Sequence, residues 1–564
     1  MLGTHLTPHP KYSMPYFLIA LAPYLLDMDM QVLVLLLLLC AGALGQDRVW
    51  TSMIGSSSTD EGKAVAIDPT TGSVYVAGYA QAALSGVLPW TTGNTLVVVK
   101  YARNGTQLYA RQLQAVDYGS LSYVNGIAVS PNGQDVYVTG GTSDGSTLYV
   151  FVSQIRSDDG GASMARVFGP AGQNAGNSVA IDSNGYVYIV GQVCGSTQGA
   201  SYIGGDSDIL LIKYNSDGDV LWTRLLGTTG ADEGYGVAID TSDNIYISGA
   251  VSGGLDGEAY EGGARDMVLF KYTPEGARDW TRIAGTSGLD IGYAVVVDSA
   301  REAVYMTGTC EGPMHGQAYG GSTDICLLKY ALDGTKIWTM QTGTSSGNNG
   351  YGIGLDASSG AVFVTGSAQG SLLDQGYVGD MDVFLMKVHA NGTALWARME
   401  GTMGADAGNA VAVDSSRGTV YVAGFASGSL HAEVYEGGYD IFLTSYLTDP
   451  AVPLPSSQPS SLPTSQPSAQ YTNVCQSRTF RDIATQTNFT RHRCFTVPSI
   501  APLPARSDFL CNPFSVSDTL YASSLSGADF SCQFTACPGD RVRMSMLPSD
   551  GGYCGGKYLF YLLR

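Results

Sequence analysis

The chain reads as an all-β protein: a seven-bladed β-propeller closed by its N-terminal strand, followed by a small disulfide-rich β domain. Three observations lead there. Asp208, Asp266, Asp324, Asp382 and Asp440 each follow the last by 58 residues, and Trp222, Trp280, Trp338 and Trp396 keep the same step. A fixed period of this length marks a repeat architecture, in which each unit is one supersecondary element stacked on its neighbours. Within a unit, short apolar stretches alternate with turn residues, and none carries the 3.6-residue helical period over a helical length. At the chain ends, the seventh unit lacks its Trp-bearing stretch, while an orphan copy of that stretch, RVWTSMIG at 48–55, precedes the first unit.

One unit shows the elements in order. GVAID (236–240) and NIYISG (244–249) come first, then a loop of sixteen residues, then DMVLFKY (266–272) and DWTRIAG (279–285). Each is rich in Val, Ile and aromatics and bounded by Gly, Asp, Asn or Pro, the pattern of a strand between tight turns. The unit is therefore a four-stranded antiparallel meander. A glycine of the second strand recurs as Gly78, Gly140, Gly191, Gly249, Gly308, Gly366 and Gly424, which sets the number of units at seven. Radial packing of such meanders buries both faces of every blade and leaves few open edges. The seventh unit has NAVAVD (409–414), TVYVAG (419–424) and DIFLTSY (440–446) and then stops, so residues 48–55 are expected to supply its outer strand and close the ring.

These units resemble the SBBP-type β-propeller repeat, whose pattern runs AxDxxGxxYVxG and then GGxxDxxLxKYxxxGxxxWxxxxG. The first half is matched by Val237-Ala238-Ile239-Asp240 through Asn244-Ile245-Tyr246-Ile247-Ser248-Gly249. The second is matched by Gly262-Gly263-Ala264-Arg265-Asp266 through Lys271-Tyr272 and Trp280-Thr281-Arg282. The resemblance covers residues 48–446; unit 2 departs most, with Ser130 for the turn aspartate and a short loop at 141–148. It implies a secreted or surface protein and no particular activity.

Composition agrees. The chain is 44% hydrophobic and 14% charged with 73 glycines, enough apolar residues for a large core and enough glycine for many tight turns. Its net charge is −20, and the last ninety-four residues hold nine basic and six acidic side chains, so the acid excess lies in the repeats. Such a surface repels nucleic acid and anionic membranes and favours cations or basic partners.

Four segments follow: 1–45, a signal peptide; 46–447, the propeller; 448–470, a linker; 471–564, a disulfide-rich module. VLVLLLLLCAGAL (32–44) is too short for a membrane span and suits a signal-peptide core, with Met28 or Met30 as alternative starts and an uncleaved anchor as the rival reading. No later segment is expected to span a bilayer. Three sequons, at Asn104, Asn391 and Asn488, agree with a secreted or cell-surface location; the first two occupy the turn between third and fourth strands, opposite the long loops. The linker is a Pro/Ser/Thr/Gln tract with the composition of an extended spacer. Beyond it, Cys475, Cys494, Cys511, Cys532, Cys537 and Cys554 form an even set that reads as a disulfide framework, with the pairing left open. The sequence stops inside a strand-like stretch, KYLFYLLR, which reads as a truncation. Cys310 and Cys326 are placed to pair across one blade, leaving Cys194 alone.

Catalytic signals are weak. Residues 141–145 and 343–347 match GxSxG, but that motif needs a strand-turn-helix setting. The stretch from Asn215 to Trp222 resembles an Asp-box, which is structural. No cofactor is expected. The five periodic aspartates leave calcium as an alternative, yet a 58-residue period cannot stack ligands as short calcium-binding repeats do. They are expected instead to cap their loops, as Asp68, Asp182, Asp240, Asp298, Asp356 and Asp414 would cap theirs. The tryptophans are expected to pack blade against blade. Tyr202, Tyr260, Tyr319, Tyr377 and Tyr435 sit in the long loops and are the candidate ligand-binding residues, by ring stacking plus a hydroxyl. Glu311 and His315, with Glu258 and Glu261 nearby, are the polar loop residues that break the repeat and the candidates for acid/base work.

The expected function is therefore binding or adhesion, with an extracellular glycan or protein as partner at the long-loop face. A carbohydrate-active enzyme using blades 4 and 5 is the alternative. A structural wall or matrix component is the third reading.

Overall fold

The computed structural model describes residues 48–87, 94–113 and 121–449, together with the backbone of six strands between Tyr471 and Leu563. The segment expected to be a signal peptide, nearly all of the linker, and Cys511, Cys532, Cys537 and Cys554 lie outside the described residues. The chain divides into two units, Met1–Pro455 and Ser456–Arg564.

The first unit holds seven four-stranded antiparallel sheets. Six are consecutive meanders. In the seventh, Ala407–Asp414, Thr419–Ala426 and Asp440–Leu447 are joined at the outer edge by Arg48–Ile54, which pairs antiparallel with Asp440–Leu447. The first strand of each blade packs against the first strands of both neighbours, and Asp60–Ile67 of blade 1 packs against Ala407–Asp414 of blade 7, so the ring is complete.

The core is divided. Seven separate apolar clusters occupy the seven junctions between neighbouring blades. Second and third strands, such as Ile245–Val251 and Asp266–Tyr272, are buried almost throughout, which is why they read as near-continuous apolar runs. Outer strands alternate. In five of the seven their inward residue is a tryptophan, and blade 1 has Tyr109 there. Trp280 packs 6.1 Å from Tyr246 and donates its Nε1 proton to the Leu332 carbonyl of blade 5 at 3.0 Å. Trp338 does the same to Ala390, and Trp50 to Arg103 across the seam. The repeated lysine shares these acceptors: Lys271 Nζ donates to Leu332 O at 3.2 Å and Lys329 Nζ to Ala390 O at 2.9 Å. At the junctions of blades 4–5 and 5–6 one carbonyl thus accepts both an indole and an ammonium proton, which ties each of these blades to the next. Blade 2 carries Met164 at the tryptophan position, in line with its divergence.

First strands begin earlier than the sequence pattern predicts. The expected 236–240 is Glu233–Ile239, because the Gly-rich lead-in, which resembles a turn, pairs with the second strand through a bulge between Gly234 and Gly236. Cys310 and Cys326 form a disulfide across blade 5, and Cys194 is the free cysteine of the described residues.

In the second unit the six strands make three two-stranded sheets, and Tyr471–Arg481 pairs with Asn488–Pro498 so that Cys475 lies opposite Cys494. Asn488 falls in this region, whose side chains lie outside the description.

Candidate functional site

The two faces of the ring differ. The long loops run beside the connections between blades, as the parallel bridge between Arg265 and Leu289 shows. Turns between first and second, and third and fourth, strands lie on the other face. Asn104 and Asn391 are exposed there. Both chain ends leave there too, since Arg48 pairs with Tyr446 and Thr448 donates its N–H to Gly418 O.

On the long-loop face the periodic aspartates are buried and cap their loops. Asp208, Asp266, Asp324, Asp382 and Asp440 accept the N–H of Ile203, Glu261, Gly320, Val378 and Glu436 at 2.6–2.8 Å. Their other carboxylate oxygens have no hydrogen-bond partner. A glycine backbone fills the space beside four of them: a Cβ on Gly55, Gly285, Gly343 or Gly401 would come within 2.3 Å of that oxygen. Among the described residues no group of three or more His, Cys, Asp or Glu is placed to hold a metal ion.

Burial pushes the Asp266 carboxyl up to about 7; the Glu261 hydrogen bond opposes the shift and Asp290 adds repulsion. Asp60, Asp208, Asp382 and Asp440 are pushed to about 6, again chiefly by burial. The folded state thus holds these protons more tightly than the unfolded chain, where Asp titrates near ~4. Stability therefore falls as pH rises from about 4 through 7 on this account. Melting temperature measured from pH 5 to 7.5 is expected to fall less steeply in Asp266→Asn than in the parent; identical slopes would refute this assignment.

The five loop tyrosines stand around this face, half-exposed or exposed. Their hydroxyls are engaged within their own loops: Tyr202 donates to Gly205 O, Tyr260 to Gly263 O, Tyr319 to Ser322 O, Tyr377 to Asp380 O and Tyr435 to Gly438 O, at 2.6–3.0 Å. Each tyrosine braces a loop, and ring surface rather than hydroxyl is what it offers outward. Glu311 and His315 are held apart by different partners: Glu311 Oε2 accepts Leu289 N–H at 3.1 Å, while His315 Nδ1 lies 2.8 Å from Thr339 Oγ1. Burial pushes the His315 imidazole down. Glu258 pairs with Arg282 at 3.3 Å. Among the described residues the only helical segments are the three-residue turns Ser299–Arg301 and Met314–Gly316, so neither GxSxG stretch has the strand-turn-helix setting that motif needs.

The mouth of the axial channel is the feature that sequence reasoning missed. Every first strand bulges once, after Gly62, Val124, Gly176, Gly234, Gly292, Gly350 and Gly408. The inserted residues are Lys63, Asn125, Asn177, Tyr235, Tyr293, Tyr351 and Asn409, all half-buried on the innermost strands. Tyr235, Tyr293 and Tyr351 stack edge to face at 5.2 and 5.3 Å. Each asparagine ties its blade to the next, donating to Gly176 O, Gly234 O or Gly62 O at 2.8–3.2 Å. Lys63 is paired with Glu61 at 2.5 Å, and Glu61 also accepts the Tyr79 hydroxyl at 2.6 Å. Burial, reinforced by that carboxylate, pushes Tyr79 well above its ordinary range, so it stays a donor. A cavity of 320 Å³ lies on this side, lined by residues of blades 1–3. The signal was present in the sequence: one position of an otherwise uniform repeat alternates among Tyr, Asn and Lys.

The SBBP beta-propeller repeat family profile matches residues 221–250, inside the fourth of these blades and the strand before it. The chain is a seven-bladed β-propeller that carries an SBBP-type repeat. The chain is similar to an uncharacterised WD repeat-containing protein of Acanthamoeba polyphaga mimivirus, 22% identical over 261 residues, 35% of this chain and 19% of that protein. It is also similar to the regulatory protein FlaEY of Caulobacter vibrioides, 26% identical over 211 residues, 34% of this chain and 22% of that protein. The alignments thus span about a fifth of the length of these curated relatives. Among solved structures, a Lactobacillus plantarum protein matches with 13% identity over 61% of this chain and 92% of that one, at a TM-score of 0.37. Raptor of Chaetomium thermophilum matches with 9% identity over 71% of this chain and 29% of that one, at 0.42.

Proposed function

We propose that this SBBP propeller is an extracellular binding or adhesion protein, without catalytic activity, that takes a glycan or protein ligand on its long-loop face. One observation carries the reading. Both sequons of the propeller and both of its chain ends lie on the opposite face, which leaves the loop tyrosines and the channel mouth unobstructed. Aromatic rings at a rim around a polar mouth are the ordinary means of holding a partner whose surface is partly apolar and partly hydroxylated. Among the described residues no helix is long and apolar enough to cross a membrane. The carboxylate–imidazole pair that an acid/base enzyme would need sits on separate partners, which favours binding over catalysis.

The test is a glycan array probed with the purified full chain, with and without calcium. Saturable binding is expected. Tyr319→Ala and Tyr260→Ala are expected to weaken binding of oligosaccharides about threefold to tenfold each, while Tyr→Phe at the same positions leaves it unchanged because the ring is kept. Absence of binding to every glycan sinks the carbohydrate reading and directs attention to protein partners.

A further inference from the structure

We infer that the channel mouth on its blade 1–3 side is a binding site for one terminal, uncharged sugar ring; this rests on the glycan-binding reading above and locates its specificity. The channel is not symmetric. On the blade 4–6 side the bulge residues Tyr235, Tyr293 and Tyr351 stack on one another and fill their arc. On the other side the bulge residues are Lys63, Asn125 and Asn177, and the cavity of 320 Å³ opens between them. Gly141 lines it without a side chain. Gly141 stands, by register, where the other blades carry Tyr79, Gln192, Ala250, Thr309, Ser367 and Phe425.

The chemistry of the lining chooses the ligand class. Asn125 and Asn177 are held by hydrogen bonds to each other and to backbone carbonyls of the next blade, so their amides are pre-oriented. Asn125 Oδ1, Gln192 Nε2 and the Tyr123 hydroxyl have no hydrogen-bond partner among the described residues. One accepts, one donates, and one does both. Sugar hydroxyls both donate and accept, so a polyol satisfies this mixed set, whereas an apolar ligand leaves it unpaired at a cost of about 1–3 kcal/mol per group. Charge argues against an anion, since Glu61 already neutralises Lys63. Tyr79 and Tyr123, edge to face at 5.5 Å, add aromatic surface for the apolar side of a ring. The volume lies at the small end of ligand pockets, which run roughly 300–1,000 Å³, and suits one ring rather than a chain.

The test uses saturation-transfer NMR and calorimetry on the full chain. The probes are methyl glycosides of neutral hexoses and N-acetylhexosamines, with methyl glucuronide as the charged comparison. A neutral glycoside is expected to bind. Gly141→Phe, which places in blade 2 the residue blade 7 carries at the same register, is expected to weaken it at least about tenfold without lowering the melting temperature. Tyr123→Phe, which deletes one oxygen, guards against misfolding of the first variant and is expected to weaken it severalfold. Preference for the glucuronide overturns the inference. So does binding that survives both substitutions; if that binding is then lost in Tyr260→Ala or Tyr319→Ala, the function stands and only this site fails. If oligosaccharides on the array bind but no monosaccharide does, the site again fails alone. If no glycan binds at all, both readings fail together.

Discussion

Gly308→Ala is expected to abolish or cripple folding of the propeller, with a loss of about 4 kcal/mol or more, in the range reserved for severe core disruption. Gly308 pairs with Gly292 just before the bulge at Tyr293, and a methyl group there would sit 1.8 Å from the Ile291 carbonyl oxygen. That atom is backbone, held in the innermost strand of the ring, so it cannot move aside. Conformational freedom is not the reason, because Gly308 is not among the glycines with positive φ. The same clash, at 1.7–2.4 Å, recurs at all seven second-strand glycines, which explains the recurrence that numbered the blades. Urea unfolding followed by circular dichroism checks the effect, and Gly141→Ala supplies the control. The nearest contact there is 3.5 Å, and the change is expected to stay within about 0.5 kcal/mol. Equal stabilities of the two variants would show that strand approach does not demand the glycine.

Trp280→Ala comes second, with an expected loss of about 3–5 kcal/mol. The indole packs on Tyr246 and lies against Gly334 of blade 5, and Arg282 stacks over it at 5.5 Å. Its removal leaves a void at a blade junction and deprives the Leu332 carbonyl of one of its two donors. Trp280→Phe keeps most of the packing and loses the hydrogen bond, so about 1–1.5 kcal/mol is expected. The same urea titrations separate the two contributions. A loss under about 1 kcal/mol for the alanine variant would mean the junction is held by its aliphatic residues alone.

The fold was legible because its determinants are local and repeated. Strand stretches such as 266–272 declare themselves by β-branched and aromatic residues between turn signals, and the period counts them. The expected caps were legible too, since an aspartate at the start of a strand after a Gly-rich loop has backbone N–H groups within reach. The site was less so. The loop tyrosines were picked out correctly as loop residues, but their hydroxyls turned inward to Gly205, Gly263, Ser322, Asp380 and Gly438, a matter of how each loop folds back over three residues. Glu311 and His315 are close in sequence and share a loop, yet each found a neighbour from a different connection or strand first.

By itself the sequence determined that this protein is all-β, that it has seven blades of four strands, and that the two sequons of its repeats and the long loops belong to opposite faces. These follow from periodicity and turn chemistry, which act over a few residues at a time. Only the tertiary structure decided which side chains reach the axis. A bulge inserts one residue and resets the alternation of the strand, so Lys63, Asn125 and Asn177 join a common mouth with Tyr235 although no period-2 reading would place them there. Each bulge lies in the pairing of a first strand with the second strand of its blade, so its place is set between residues of two strands rather than along one.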